Sequence, residues 1–145
     1  LIIIVLSDYY YMIIEDSVLI VFGLLLLLEI FFINGFDVLL ICLKNGLISF
    51  GIMLLLKLFG DLVFKKESMG GGDIKLMGII GIMIGWDMSI ITIFLSAILA
   101  FPVSLVILKS KKNHEIPYGP FLAMASLIIY LTHFNIDKLL EMLTI

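Results

Sequence analysis

The sequence contains few charged residues and no arginine. Only 14% of its 145 residues are charged, whereas 63% are hydrophobic and the mean hydropathy is +1.27. Ordinary globular domains are about a quarter charged and near half apolar. A water-soluble fold could not bury this much apolar surface, so the composition predicts an integral membrane protein in contact with the lipid bilayer.

Basic residues and cysteine are also scarce. All nine basic residues are lysines and the formal net charge is −3, which gives no sign of a nucleic-acid-binding surface. Cys42 is the single cysteine, so a disulfide framework or a cysteine-rich zinc site within the chain is excluded. Because Cys42 lies in an apolar run, we interpret it as a small buried hydrophobic residue.

Long apolar runs predict an all-α fold, a polytopic bundle of transmembrane helices. A complete span needs about 20 residues, and we count about five spans, namely residues 17–33, 46–64, 73–86, 89–108 and 121–134. Asp16 or Ser17 is expected to cap the first span, Asn34 and Gly35 to end it, and residues 37–45 to connect it to the second.

The apolar run at residues 1–6 is too short to span a membrane, since six residues make about 9 Å of helix. We interpret it as the end of a truncated N-terminal helix. Residues 1–145 are therefore expected to be a single integral-membrane domain that lacks upstream residues.

Lysines indicate the orientation of these spans. Lys109, Lys111 and Lys112 follow the fourth span and mark its end as cytoplasmic. Counting back through alternating spans places Lys65 and Lys66 on the same side. This topology puts two aspartates, Asp8 and Asp73, near the cytoplasmic face, so that the two carboxylates could meet.

The stretch Met-Gly-Gly-Gly-Asp-Ile-Lys at residues 69–75 is the strongest functional signal. An ionisable group at membrane depth is costly and by default marks function, and glycines allow a substrate strand to come close. If Trp86 anchors the far interface, Asp73 lies about 20 Å away along the helix, against a hydrocarbon core of about 30 Å. Asp73 would then be recessed below the near surface, which predicts a watery cavity around it.

Three more glycines, Gly78, Gly81 and Gly85, lie on a different face of the same helix. Small residues at this spacing allow helices to pack closely. We interpret these three glycines as structural.

Two carboxylates a few ångströms apart share one proton, because both cannot ionise cheaply. One carboxylate can then activate a water while the other polarises a peptide carbonyl. The N-terminus of the helix after Asp73 favours an ionised carboxylate there, so we assign Asp73 as the ionised partner and Asp8 as the protonated one. Such a site needs no cofactor and no metal.

Three motifs together resemble the bacterial type IV prepilin peptidases, which are Gly-x-Gly-Asp intramembrane aspartyl proteases. They are residues 70–76 (GGGDIKL), Asp8 with residues 13–16 (IIED), and residues 116–123 (IPYGPFLA). The resemblance implies that Asp8 and Asp73 are the catalytic pair of an enzyme in the bacterial inner membrane, acting near its cytoplasmic face. The substrates would be prepilins or pseudopilins, cut after their short basic leader.

Other residues in these motifs are expected to shape the site or bind the substrate. They are Gly70, Gly71, Gly72, Lys75, Pro117, Tyr118, Gly119 and Pro120. The Pro-Tyr-Gly-Pro run has two interpretations, a rigid turn that opens a helix with Pro120 in its first turn, or a wall of the active-site cavity.

The sequence departs from the family around the first aspartate. Glu15 stands where the family usually has proline, and the run Tyr9–Tyr11 replaces a basic residue, which leaves Asp16 as an alternative first aspartate. The cysteine-paired region of longer members, which also methylate pilins, is not present in this sequence.

Two other functions remain open. Buried carboxylates relay protons in transporters, so the chain could be a small transporter or channel subunit, although no second Gly-Gly-Asp segment indicates an internal repeat. It could also be an inactive family member that acts as an assembly partner. Asparagine at position 8 or 73 should abolish cleavage by a protease and be tolerated by a scaffold.

Overall fold

The computed structural model describes residues 15–65, 69–109 and 118–132, and the regular elements within them are α-helices. They are α1 (Asp16–Phe64), α2 (Gly71–Ile84), α3 (Trp86–Lys109) and α4 (Gly119–Thr132). The predicted all-α fold is therefore confirmed for these parts of the chain. Two helical segments, Asp16–Val63 and Trp86–Leu105, are long and apolar enough to cross a membrane.

Gly35 breaks α1 into two helical halves, residues 16–34 and 36–64. Its backbone has φ 84° and ψ 179°, a conformation that is essentially restricted to glycine. Both halves border α2: Gly23 faces Ile79, and Gly46 lies against Gly78. The chain therefore folds back at Gly35, as predicted for the end of the first span.

Two predictions about α1 are wrong. Residues 37–45 are helical and do not form a connecting loop. Their polar side chains suggested a loop, but Asp37 and Lys44 are exposed on the surface of the helix. The N-cap is Glu15, which makes no side-chain capping bond, and the Asp16 carboxylate binds Lys75 instead of capping the helix.

Small residues bring α1 and α2 close together. A Cβ atom at Gly46 would lie 2.8 Å from the carbonyl oxygen of Gly78, and one at Gly81 would lie 3.0 Å from that of Asn45 and would also clash with Ser49. The predicted structural role of Gly78 and Gly81 is therefore confirmed as close helix packing.

Gly85 has a different structural role from the other two glycines of its stripe. It lies between α2 and α3 with φ 92° and ψ 159°, again a conformation that favours glycine. Its amide donates to the carbonyl of Gly81 at 3.0 Å, which closes the last turn of α2. A single residue thus joins the two helices.

Helix α2 lies at the centre of the described bundle and contacts the other three helices. Its Leu76, Met77 and Ile80 are almost completely buried, together with Met53 of α1 and Leu122 of α4. The outer surfaces carry large exposed apolar side chains such as those of Phe32 and Leu62. This arrangement suits a protein whose outer surface faces lipid tails.

Candidate active site

Asp73 lies in the first turn of α2 and is only 6% exposed. Burial of a carboxylate is costly unless its surroundings stabilise it. The N-terminus of α2 supplies part of that stabilisation, because the unpaired amides and the helix dipole favour a negative charge there. The structure therefore places a recessed carboxylate at the end of the bundle where α1 begins.

The glycines before Asp73 form the turn into α2. Gly70 is the N-cap, with an extended backbone at φ −67° and ψ 146°, and a Cβ atom there would lie 3.6 Å from Oδ2 of Asp73. A Cβ atom at Gly71 would meet nothing within 4 Å. The backbone at Gly70 thus runs directly over the carboxylate, and space remains beside Gly71.

Tyr118, the residue before α4, is held by α3. Its hydroxyl contacts Oγ of Ser96 and donates to the carbonyl of Ile93 at 3.3 Å. Its ring is half-buried and packs against the hydrophobic core around α2. Tyr118 therefore connects α3 and the start of α4 to the helix that carries Asp73.

The predicted turn at the start of α4 is present. The carbonyl of Tyr118 accepts the amides of Phe121 and Leu122, each at 3.1 Å. Gly119 and Pro120 occupy the first turn and are buried. Proline fits this position because the first amides of a helix lack partners within the helix.

The Tyr118 hydroxyl is electrostatically linked to Asp73. Burial raises the pKa of Tyr118 above its ordinary value of 10.0, the hydrogen bond with Ser96 lowers it, and the charge of Asp73 raises it again. Tyr118 also packs against the buried core around α2, and Asp73 is one of the buried residues of that helix.

Lys75 lies outside this buried group. Its Nζ atom is 2.6 Å from Oδ1 of Asp16, and the two side chains are 50% and 63% exposed. Residues that are two positions apart in an α-helix are separated by about 200° around its axis. Lys75 and Asp73 are therefore on opposite faces of α2. Lys75 connects the start of α1 to the first turns of α2.

Two cavities lie away from Asp73. One, of about 510 Å³, is apolar and lies between the halves of α1 and the Lys75 face of α2. The other, of about 560 Å³, is bordered by Glu29, Asn34 and Tyr130. Since neither is lined by Asp73, the watery cavity predicted around that carboxylate stays a prediction.

Two predicted site residues, Asp8 and Pro117, lie outside the described residues. Ser96, by contrast, contacts the site but was missed in the sequence, where it is one hydroxyl in an apolar run. The sequence did contain a signal for a buried polar face of α3, since Ser89, Thr92 and Ser96 recur at helical spacing. The structure shows that all three are buried.

Comparison with known proteins identifies relatives of the chain. The model of the type IV leader peptidase family matches residues 1–105. A prepilin leader peptidase/N-methyltransferase of Stutzerimonas stutzeri is 38% identical over 73 residues, which are 48% of this chain and 25% of that protein. The protein of the same name from Pseudomonas aeruginosa is 37% identical over the same shares. No solved structure matches the chain.

A shorter relative is matched over more of its length. Leader peptidase HopD of Salmonella typhimurium is 37% identical over 69 residues, or 45% of this chain and 44% of that protein. The matched part thus spans about a quarter of the length of the two longer relatives and less than half of the length of HopD. Apolar helices and these relatives together indicate an integral membrane protein.

Proposed function

Because the chain belongs to the type IV leader peptidase family, we propose that it is an intramembrane aspartic endopeptidase that removes the short basic leader from type IV prepilins or pseudopilins. The observation that carries this proposal is the buried carboxylate of Asp73 behind a glycine turn at a helix N-terminus. A buried acid in this position is costly for stability alone. The names of the relatives, prepilin leader peptidases, support the substrate class.

In the proposed mechanism Asp73 and Asp8 share one proton. The ionised Asp73 takes a proton from a water, whose oxygen attacks the scissile carbonyl, while the protonated Asp8 gives its proton to the carbonyl oxygen. The tetrahedral intermediate collapses when Asp73 gives its proton to the leaving nitrogen and the peptide C–N bond breaks, while Asp8 takes back a proton from one of the two hydroxyls, which restores the starting pair. Asp73 is assigned as the base because it lies in the first turn of α2.

Asp8 is preferred to Asp16 as the partner of Asp73. The Asp16 carboxylate is 63% exposed and bound to Lys75, on the face of α2 opposite Asp73. An exposed carboxylate that is held by a lysine is poorly suited to share a proton with a buried one. Asp8 precedes Asp16 by eight residues, which can span up to about 28 Å.

The remaining motif residues are proposed to shape the site. Gly70 lets the substrate backbone approach Asp73, since a Cβ atom there would lie 3.6 Å from Oδ2 of the carboxylate. Gly71 and Gly72 would keep the backbone of the same turn free of side chains. Pro117, Tyr118, Gly119 and Pro120 form a wall of the site, which Tyr118 supports through its contacts with α3. Lys75 acts from outside by fixing the start of α1 to α2.

We further propose that the chain crosses the bacterial inner membrane five times within residues 16–134. The break at Gly35 divides α1 into two spans, and α2, α3 and α4 supply three more. The active site would lie near the cytoplasmic face, where Lys65 and Lys109 end their helices.

The proposal is tested by processing of a prepilin that is co-expressed with the full chain in a bacterial host lacking its own leader peptidase. Asp73→Asn and Asp8→Asn should each lower cleavage at least about a thousandfold, as measured by the mass of the pilin. Asp87→Asn is the matched control, because Asp87 also lies in the first turn of a helix but at the opposite end of α2. It should cleave like the wild type.

Each other outcome has a defined meaning. Normal cleavage by Asp73→Asn would overturn the protease assignment. Cleavage by Asp8→Asn together with loss in Asp16→Asn would identify Asp16 as the partner. If the wild-type chain is present in the membrane at normal levels and the prepilin stays uncleaved, the result would favour the alternative that the chain is an inactive assembly partner.

A further inference from the structure

The apolar cavity between the halves of α1 and the Lys75 face of α2, called the α1–α2 cavity below, has one charged end. Its volume of about 510 Å³ falls within the range of about 300–1,000 Å³ that is typical of ligand sites. The ion pair of Asp16 and Lys75 stands at one end, and the other lining residues are apolar or glycine. A matching ligand is therefore apolar along most of its length and charged at one end.

The length of the α1–α2 cavity corresponds to one leaflet of a bilayer. Its lining extends along α1 from Asp16 to Leu27, which is about 16 Å of helix. Half of a hydrocarbon core of about 30 Å is about 15 Å. A transmembrane helix of a substrate or of a second copy has to cross both leaflets and would extend far beyond the cavity. A single lipid tail fits this length.

The α1–α2 cavity is open to lipid and turned away from Asp73. Ile20 and Leu24 border it and have exposed side chains, so a lipid tail can enter from the side. Asp73 does not line the cavity, and Lys75 lies on the opposite face of α2 from Asp73. A peptide in the cavity would be separated from Asp73 by α2 itself, which argues against a substrate as the occupant.

The ion pair can hold a head group that carries both charges. The Lys75 ammonium has three donors, and one of them binds Oδ1 of Asp16 at 2.6 Å. The others can bind a phosphate, and the Asp16 carboxylate has further lone pairs for an ammonium. Both side chains are at least half exposed, so a head group can reach them. A purely anionic head group would be repelled by Asp16.

We propose that the α1–α2 cavity binds one phosphatidylethanolamine molecule from the leaflet on the Asp16 side of the bundle. One tail lies between α1 and α2, the phosphate binds Lys75, and the ammonium binds Asp16. This site is independent of the proposed peptidase function, because it involves neither Asp73 nor cleavage.

The first test counts lipids on the full chain, purified in detergent and mixed with equal amounts of a phosphatidylethanolamine and a phosphatidylglycerol that have the same tails. Native mass spectrometry should show one retained lipid per wild-type chain. Leu24→Trp puts a larger side chain into the cavity and should lower the retained fraction about tenfold. Leu28→Trp is the matched control, because Leu28 is 52% exposed, against 55% for Leu24, but does not line the cavity. It should retain the lipid.

The second test examines the head group in the same mixture. The wild type should retain phosphatidylethanolamine about fivefold better than phosphatidylglycerol, as expected for one charge at a membrane surface. Asp16→Asn should abolish this preference, because it removes both the partner of the ammonium and the repulsion of the anionic lipid. Lys75→Gln should lower the retention of both lipids, since each has a phosphate.

Several outcomes would overturn the inference. Equal lipid retention by Leu24→Trp and Leu28→Trp would exclude the α1–α2 cavity as the site. A wild-type dimer that Leu24→Trp converts to a monomer without loss of lipid would mean that a second copy fills it. If Leu24→Trp does not fold, the exposed position of Asp16 still permits the decisive measurement. An unchanged preference for phosphatidylethanolamine in Asp16→Asn would contradict the proposed head-group contacts.

Discussion

At the scale of single residues, Asp73 and Tyr118 illustrate how a buried polar group is tolerated. Asp73 has the N-terminus of α2 to stabilise its charge. Tyr118 favours the neutral form, because burial and the charge of Asp73 raise the pKa of its hydroxyl and outweigh the hydrogen bond with Ser96, which lowers it. The surroundings of Asp73 therefore favour a charged group, and those of Tyr118 favour a neutral one.

The raised pKa of Tyr118 predicts a late ionisation. Its phenolate should form at higher pH in the folded protein than in the denatured chain, since burial disfavours the charged form. The difference between the ultraviolet titrations of the wild type and Tyr118→Phe, each in detergent, isolates this group. A Tyr118 transition at or below pH 10.0, its ordinary value, would contradict the prediction.

The same shift affects stability. A folded-state pKa above the unfolded one means that the folded chain holds the proton more tightly. The stabilisation is fully present below the unfolded pKa and is lost as the pH rises through the folded value. The free energy of unfolding of the wild type relative to Tyr118→Phe should therefore fall only in alkaline solution.

At the scale of helices, the contact between α1 and α2 depends on glycine. A Cβ atom at Gly81 would meet Ser49 and the carbonyl of Asn45, whereas one at Gly51 would meet nothing within 4 Å. Both glycines lie within helices. Alanine substitutions at Gly81 and Gly51 can therefore be compared. The difference between them measures crowding at the interface, because the general preference of helices for alanine over glycine applies to both.

Gly81→Ala should destabilise the protein by about 1–3 kcal/mol relative to Gly51→Ala, because it forces the two helices apart. Gly51→Ala should be neutral or stabilising by up to about 1 kcal/mol. Thermal unfolding of both variants in the same detergent measures the difference. Equal unfolding temperatures would mean that the interface accommodates a methyl group without cost.

The sequence predicted the helices better than their ends. Apolar runs located the four helices of the described residues, and Asn34-Gly35 correctly marked the break in α1. The continuation of the helix through residues 37–45 was missed because Asp37, Lys44 and Asn45 are polar and were taken as part of a loop. Polar residues can also lie on a helix where it extends beyond the hydrocarbon core. Residues 36–64 make about 43 Å of helix, more than the hydrocarbon core of about 30 Å.

Local features of the candidate site were predictable where a residue carried its own chemistry. The recessed position of Asp73 was predicted from the glycine turn and the length of the helix that follows, and the helix start at Pro120 because proline suits a first helical turn. The contact of Ser96 with Tyr118 could not be derived, since it depends on how α3 packs against the start of α4. The pairing of Asp16 with Lys75 likewise joins residues 59 positions apart.

At the scale of the whole molecule, the described surface is largely apolar, and its orientation can be measured. In a Cys42→Ala background, Asp37→Cys and Lys65→Cys place single thiols at exposed positions near opposite ends of the second half of α1. Only the first should react with a membrane-impermeant maleimide added from outside, and the second should react after permeabilisation. The reverse pattern would contradict a cytoplasmic active site.

The shortness of α2 links the protein to its lipids. Its 14 residues, bounded by Gly70 and Gly85, measure about 21 Å, some 9 Å less than the hydrocarbon of an average bilayer. Such a mismatch is relieved when nearby acyl chains compress or when a polar end sinks below the headgroups. The depth of Asp73, and with it the access of water, is therefore set jointly by the protein and by the acyl-chain length of the surrounding membrane.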